Sequence, residues 1–422
     1  MLIIFGTLIV CFILSFPISF SLIISSIFYM IYYGVPLMTI PQQLAVSMDN
    51  YTLIAIAGFI FAGQEMNSLG ISSRIFKFAN SLVGHIPGGL AQANVLASII
   101  FAGMSGSAIA DAAGIGTVEI KGMVEQGFKP SFSAAVTGAS AIIGPIIPPS
   151  VVALIYAASA GVSVGKIFLA GVVPGLMMGI SMMVLIYYTA KKRNYPMQKR
   201  ATFKKILYAT KKAFPSLMTP IIILGGITSG IFTPTEASVI TAAYAIAIGV
   251  LYKTFDLKSL YEVLLSVTEE MGGVGLLIAC AVTFSWVLTH ASIPTKAANL
   301  LLSLSENPLV VLGIINVFLL IVGCFMDPSA AILVLVPVFL PVLDQLGISR
   351  LHFGVVMILN LMIGLFTPPV GPCLYIMSSL TNLSLERVVR ATMPFIIPLI
   401  IVLLIITYFP VFSLWLPTLL MG

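Results

Sequence analysis

Gly103-Met104-Ser105-Gly106-Ser107 and Gly323-Cys324-Phe325-Met326-Asp327-Pro328 decide how this chain reads. They stand 220 residues apart, and residues 103–174 lie on 323–394 at that offset without a gap. Only 12 of the 72 positions are identical, yet the identities fall where backbone geometry is at stake. They include Gly103/Gly323, Gly127/Gly347, Gly144/Gly364, Pro148/Pro368, Pro149/Pro369 and Pro174/Pro394. Apolar segments interrupted by glycine and proline at matching places in two halves are the pattern of a secondary transporter, which holds its cargo between the repeats.

The composition agrees. Hydrophobic residues make up 59% of the 422-residue chain and charged residues 8%, with a mean hydropathy of +1.13. Apolar runs at 167–190 and 395–416 are long enough to span a bilayer as helices, so an all-α integral membrane protein is expected. The first apolar run starts at Met1 with no basic region before it and no small-residue cleavage site after it; it reads as a retained membrane segment. Cys11, Cys280, Cys324 and Cys373 lie in apolar segments without metal-type spacing and read as small hydrophobes. His85, His290 and His352 share no motif. The net charge of +6 follows membrane topology, and no nucleic-acid partner is expected.

Nine of the twenty Lys/Arg lie between Lys191 and Lys212, with no acid among them. The positive-inside rule puts this stretch in the cytoplasm, and its partly amphipathic character suits either an interfacial helix or a solvated linker. Phe16-Pro17 and Thr233-Pro234 each divide a long apolar stretch, which gives about five crossings per half. An odd number inverts the second half. Seventeen basic residues then fall inside, and only Lys166, Lys296 and Arg350 outside. The expected layout is a first inverted repeat over 1–190, a basic cytoplasmic linker over 191–215 and a second repeat over 216–422. Both termini are then periplasmic.

Within each half, two segments are not simple spans. Residues 94–123 and 314–343 carry small, flexible and capping residues at mid-depth, as a re-entrant hairpin would. Ser107 and Asp327 coincide at the offset and suit a helix N-cap, Asp327 especially with Pro328 behind it. Such a cap at a hairpin tip also faces the cargo. Residues 131–160 and 351–380 each read as a broken helix, interrupted at Gly144-Pro145 with Pro148-Pro149-Ser150, and at Gly364 with Thr367-Pro368-Pro369-Val370-Gly371. Consecutive prolines free the carbonyls of the preceding turn and expose the N-terminus of the next half-helix. Freed carbonyls and hydroxyls hold a monovalent cation, whereas helix N-termini favour an anion. No Lys or Arg lies near these breaks, so an anionic cargo would lean on bound cations. Glu65, Asp111 and Glu236 are further intramembrane candidates for transport, and the latter two also have a plainer reading. Asp111 follows the first tip by one turn, where the helix dipole favours it, and Glu236 follows a helix-start pattern.

At these motifs the chain resembles the large membrane subunit of tripartite ATP-independent periplasmic (TRAP) transporters. The resemblance covers essentially the whole chain and rests on FAGMSGSAIADAAGIGT (101–117), IIGPIIPPS (142–150), GIFTPTEAS (230–238), GCFMDPSAAI (323–332) and GLFTPPVGPCLY (364–375). It implies two inverted repeats with re-entrant hairpins and an elevator movement of a transport domain in a bacterial inner membrane. It also implies Na⁺-driven uptake of an organic acid, such as sialic acid or a C4-dicarboxylate. The implied partners are a periplasmic substrate-binding protein and a small four-helix membrane subunit, either separate or derived from a fusion. Carried over residue by residue, one Na⁺ site involves Ser105, Gly106 and Ser107 with Gly144; the other involves Gly323 to Asp327 with Thr367 and Gly371. The implied substrate contacts are Ser105, Ser107, Pro148, Ser150, Asp327 and Pro368.

Three rival readings compete with this one. A stand-alone Na⁺-coupled carrier would need no binding protein. A channel would need no gradient, and no charge ring lines any segment. An intramembrane enzyme would need a nucleophile–base pair or paired acids, and no His or Lys accompanies Asp111 or Asp327.

The topology makes one prediction. A single cysteine placed at Lys199 stays unlabelled by a membrane-impermeant thiol reagent in intact cells and becomes labelled once the membrane is opened; labelling in intact cells would turn the assigned orientation over.

Overall fold

The computed structural model describes residues 2–422, with all of their side chains except those of Leu2, Ser105 and Ala110. Among the described residues there are twenty helices and no strand. The first half holds α1 (Leu2–Ile13), α2 (Ile18–Tyr33), α3 (Thr39–Met48), α4 (Tyr51–Ser68), α5 (Ile71–Val83), α6 (Gly89–Ser105), α7 (Ala108–Glu125), α8 (Pro130–Ala141), α9 (Val151–Ala160) and α10 (Val164–Arg193). The second holds α11 (Phe203–Thr228), α12 (Pro234–Tyr252), α13 (Leu257–His290), α14 (Ile293–Leu304), α15 (Pro308–Phe325), α16 (Pro328–Gln345), α17 (Arg350–Leu365), α18 (Pro372–Thr381), α19 (Leu385–Tyr408) and α20 (Val411–Met421). Six of these helices are long and apolar enough to cross a membrane, or seven if α3 and α4, bent by 54°, form one span. Large apolar side chains such as Ile13, Ile180 and Ile397 point outward, as a lipid solvent requires. The protein is a multi-pass membrane protein.

The element boundaries repeat at the offset of 220. α6 and α15 end at 105 and 325, α7 and α16 span 108–125 and 328–345, and α8 and α17 begin at 130 and 350. Both Pro-Pro peptide bonds, Pro148-Pro149 and Pro368-Pro369, are cis. The interruptions read from sequence are present at each expected place. One boundary differs. The linker expected over 191–215 ends earlier, because α11 starts at Phe203 and runs unbroken through Pro215 and Pro220. A proline inside a helix removes one hydrogen bond and bends the axis, but apolar surroundings and neighbouring helices allow it. Lys191, Lys192 and Arg193 belong to the last turn of α10, where cations favour the helix dipole. The linker proper is 194–202.

A second departure concerns α13. At the offset it corresponds to α3 plus α4, yet it is one continuous helix of 34 residues. The first half breaks where Asn50 caps α4 by accepting from the Thr52 N–H at 2.9 Å. The second half carries Glu269-Glu270 at the matching positions, which prefer the helix interior more than Asp or Asn does.

Buried polar networks tie each tip-bearing arm to the broken helix beside it. In the first half, Asn94 Nδ2 donates to Thr137 Oγ1 at 2.7 Å, and Ser140 Oγ donates to Asn94 Oδ1 at 2.7 Å. In the second half, Asn360 Nδ2 donates to Asn316 Oδ1 at 2.7 Å and Asn316 Nδ2 to Thr407 Oγ1 at 2.9 Å. Ser140 and Asn360 occupy matching positions, so the same joint is made with different chemistry. The halves also clasp each other. α9 packs on α16, and the Tyr156 hydroxyl donates to the Arg350 carbonyl at 2.6 Å. The Arg350 guanidinium forks onto Asp344 and donates to the Ala160 carbonyl at 3.3 Å.

Asn360→Ala leaves Asn316 Oδ1 buried without its donor, a loss of about 1–3 kcal/mol. We expect a lower midpoint of thermal unfolding for the purified variant in detergent. An unchanged midpoint would show that the network does not hold α15 to α17.

Candidate functional site

The two tips seat on the two breaks through glycine. At the first tip Gly106 adopts a positive φ of 65°, and a Cβ there would stand 2.6 Å from the Pro149 carbonyl oxygen. A side chain at Gly144 would collide with the carboxylate of Asp111, which is buried against the first break. At the second tip a Cβ on Gly364 would lie 2.6 Å from the Gly323 Cα. The Gly371 N–H donates to the Cys324 carbonyl at 3.4 Å. Only glycine permits approaches this close.

Each tip has its own chemistry. Asp327 caps α16, accepting from the N–H groups of Ser329 at 2.8 Å and Ala330 at 3.4 Å. Thr367 Oγ1 donates to the Ile363 carbonyl at 2.6 Å, which leaves its oxygen lone pairs free to face a cation. Ser150 caps α9 by accepting from the Ala153 N–H at 3.1 Å and donates to the Pro145 carbonyl. The first break is fully buried, whereas Pro369 and Val370 of the second are exposed. The two breaks are therefore unequal in access despite their matching backbones.

Between the tips lies a cavity of about 470 Å³. Ser107 and Ala108 line it from the first tip, Asp327 and Pro328 from the second, and Val151 from the start of α9. The N-termini of α7, α9 and α16 thus converge on one space, and their dipoles favour negative charge there. Glu270 of α13 faces these N-termini across the cavity. It accepts a hydrogen bond from Gln64 Nε2 of α4 at 2.7 Å, and it shares a small adjoining pocket with Gln64, Asn67 and Ser107. Two carboxylates and no Lys or Arg line the main cavity among the described residues.

Of the residues singled out from sequence, Gly106, Ser107 and Asp327 line this cavity. Gly144, Pro148 and Ser150 are buried behind it, with Pro145 presented instead. Gly323 is buried in the seat of the second tip, while Thr367, Pro368 and Gly371 lie at the second break, outside the cavity lining. The Ser105 side chain lies outside the described residues. Glu65 is buried in α4, and its Oε2 has no hydrogen-bond partner among the described residues. Glu236 completes a capping box: the Thr233 N–H donates to its carboxylate at 2.8 Å, and the Glu236 N–H donates to Thr233 Oγ1 at 3.3 Å. It does not line the cavity. Glu270 and Gln64 were not foreseen. The available signal was an acidic pair, Glu269-Glu270, followed by Gly272-Gly273 inside an apolar run.

A helical membrane protein with paired tips and breaks around a central cavity is a transporter by architecture. The profile of the DctM component of tripartite ATP-independent periplasmic transporters matches residues 5–412, and the chain belongs to that family. It is 44% identical over 382 residues to the sialic acid TRAP transporter large permease protein SiaM of Vibrio cholerae, covering 90% of each chain. It is 42% identical over 370 residues to the C4-dicarboxylate TRAP transporter large permease protein DctM of Pseudomonas aeruginosa, covering 87% of each. The fold is similar to that of the YdaH transporter of Alcanivorax borkumensis, with a TM-score of 0.66 at 17% identity over 90% of this chain and 88% of that one.

Gly364→Ala inserts a methyl into the Gly323 backbone, an overpacking cost of about 1–3 kcal/mol. We expect a strong loss of transport with normal membrane insertion. Gly272→Ala, whose Cβ meets nothing within 4 Å, serves as the control and should transport normally. Equal activity of the two variants would remove the close seat from the mechanism.

Proposed function

We propose that this chain is the membrane-spanning large subunit of a Na⁺-coupled importer of an organic acid. The observation that carries the proposal is the cavity: three helix N-termini converge on it, two carboxylic acid side chains line it, and among the described residues no basic side chain does. A carboxylate cargo is attracted by the helix dipoles and repelled by Asp327 and Glu270. Bound cations at the tips resolve that conflict by supplying the positive charge the walls lack. Freed carbonyls around Gly144 and Gly364, with Ser105, Ser107, Thr367 and Gly371, are the oxygen-rich surroundings that Na⁺ prefers.

The same reading assigns the two halves as inverted repeats, with residues 94–123 and 314–343 as re-entrant hairpins. The tips and breaks form a transport domain that moves as an elevator against the remaining helices. Glu270 and Gln64, on helices outside the tip-and-break units, face the Ser107 tip across this boundary. The names of relatives point to a carboxylate cargo, with sialic acid our first choice and a C4-dicarboxylate next. A small membrane subunit and a periplasmic binding protein complete the system in the inner membrane, with the linker in the cytoplasm.

Proteoliposomes containing this chain, its small subunit and its binding protein should accumulate the acid only with an inward Na⁺ gradient. Uptake that ignores the gradient ends the coupling proposal, and uptake without the binding protein makes the chain a stand-alone carrier. In the same assay, Thr367→Val and Ser105→Ala should each raise the Na⁺ concentration for half-maximal uptake by about tenfold, as the loss of one oxygen contact to a charged group implies. Unchanged Na⁺ activation in both variants would sink the site assignment.

A further inference from the structure

A second cavity, of about 620 Å³, opens between α5, the linker and the first turns of α11. Arg74, Lys77, Lys199, Lys205 and Lys212 line it, and among the described residues no acid does. Five like charges around one space repel one another. Neither of the two ion pairs among the described residues, Arg350–Asp344 and Arg390–Glu386, involves any of the five. The surrounding structure nevertheless holds the walls together. Asn80 Nδ2 donates to Gln198 Oε1 at 3.1 Å, and the Gln198 N–H donates to the Gly84 carbonyl at 2.9 Å. The Arg74 guanidinium lies over the Tyr252 ring at 3.6 Å from its centre, and the Tyr252 hydroxyl donates to the Lys212 carbonyl at 2.7 Å. Lys212 Nζ stands 4.5 Å from the centre of the Tyr208 ring. Contacts with two aromatic faces thus position two of the five cations without neutralising them.

The surroundings say which anion fits. On α11, on the face opposite Lys205 and Lys212, Phe203 is 78% exposed and Leu207 58% exposed, with Phe214 exposed on that same face. Basic side chains opposite outward apolar ones mark a helix lying at the membrane–water boundary. With the apolar face of α11 in the lipid, the cavity on its basic face opens at headgroup level. A basic pocket between helices at this depth matches a phosphate carried by a lipid. Several N–H donors converging from different directions suit the three-dimensional spread of phosphate oxygens.

We propose that this cavity binds a phosphate group, presented by the headgroup of an anionic glycerophospholipid. The bound lipid ties α5, which leads into the first tip-bearing arm, to α11, which opens the second half. Filling the cavity relieves the repulsion among the five cations, so the joint between the halves is firmest when the lipid is present.

The test uses the full chain, purified in neutral detergent and stripped of lipid, with binding read by native mass spectrometry. Phosphatidylglycerol, phosphatidylcholine and inorganic phosphate are the three probes. We expect phosphatidylglycerol to bind at least about tenfold more tightly than phosphatidylcholine, because several basic groups each contribute. The Lys77→Gln/Lys205→Gln/Lys212→Gln variant should lose that preference. Arginine at the same three positions should restore it, which separates loss of charge from misfolding, and Lys258→Gln outside the cavity should leave it unchanged. Equal binding of the two lipids, or a preference that survives the triple glutamine variant, overturns the proposal. Inorganic phosphate that displaces phosphatidylglycerol at equal concentration overturns the lipid assignment and makes the site one for free phosphate.

Discussion

A peptide group freed from its helix inside a membrane has no water to turn to, and this constraint organises the rest of the protein. Two tips and two breaks leave such groups at the heart of the molecule, and at the second pair the Gly371 N–H meets the Cys324 carbonyl directly. The seats work only because Gly106, Gly323 and Gly364 carry no side chain, so backbone can approach backbone, and because Gly144 leaves room for the Asp111 carboxylate. The buried Asn–Ser–Thr and Asn–Asn–Thr networks then hold each arm against its broken partner. Helix–helix contacts in lipid gain little from hydrophobicity, so specific polar joints of this kind carry the orientation of the arms.

Much of this was legible in the sequence because glycine and proline report backbone geometry directly. The offset of 220 located both tips and both breaks within a few residues, and Asp327 before Pro328 announced a cap that the structure contains. The end of the linker was not legible. Pro215 and Pro220 look like breakers, but neighbouring helices let α11 continue through them. The opposite wall of the cavity escaped for a different reason: Glu270 belongs to no interruption, and its meaning depends on a tertiary contact with Gln64 across 206 residues of chain. Ser150 shows the same limit in reverse. The resemblance implies it as a substrate contact, and its hydroxyl also caps α9 and donates to the Pro145 carbonyl, roles that proline neighbours alone do not reveal.

The cavity combines opposing electrostatic signs within a few ångströms. Helix N-termini bring partial positive charge, while Asp327 and Glu270 bring acidic side chains. The first break is buried and the second partly exposed, so the two differ in access despite their matching backbones.

The clasp of Tyr156, Arg350 and Asp344 has a consequence for biosynthesis. Tyr156 and Ala160 end the broken helix of the first half, and their partner Arg350 is translated about 190 residues later. Until then α9 has no α16 or α17 to pack against, and its buried face is open to lipid or to other proteins in the membrane. The inserted first half is an incomplete body that waits for the second.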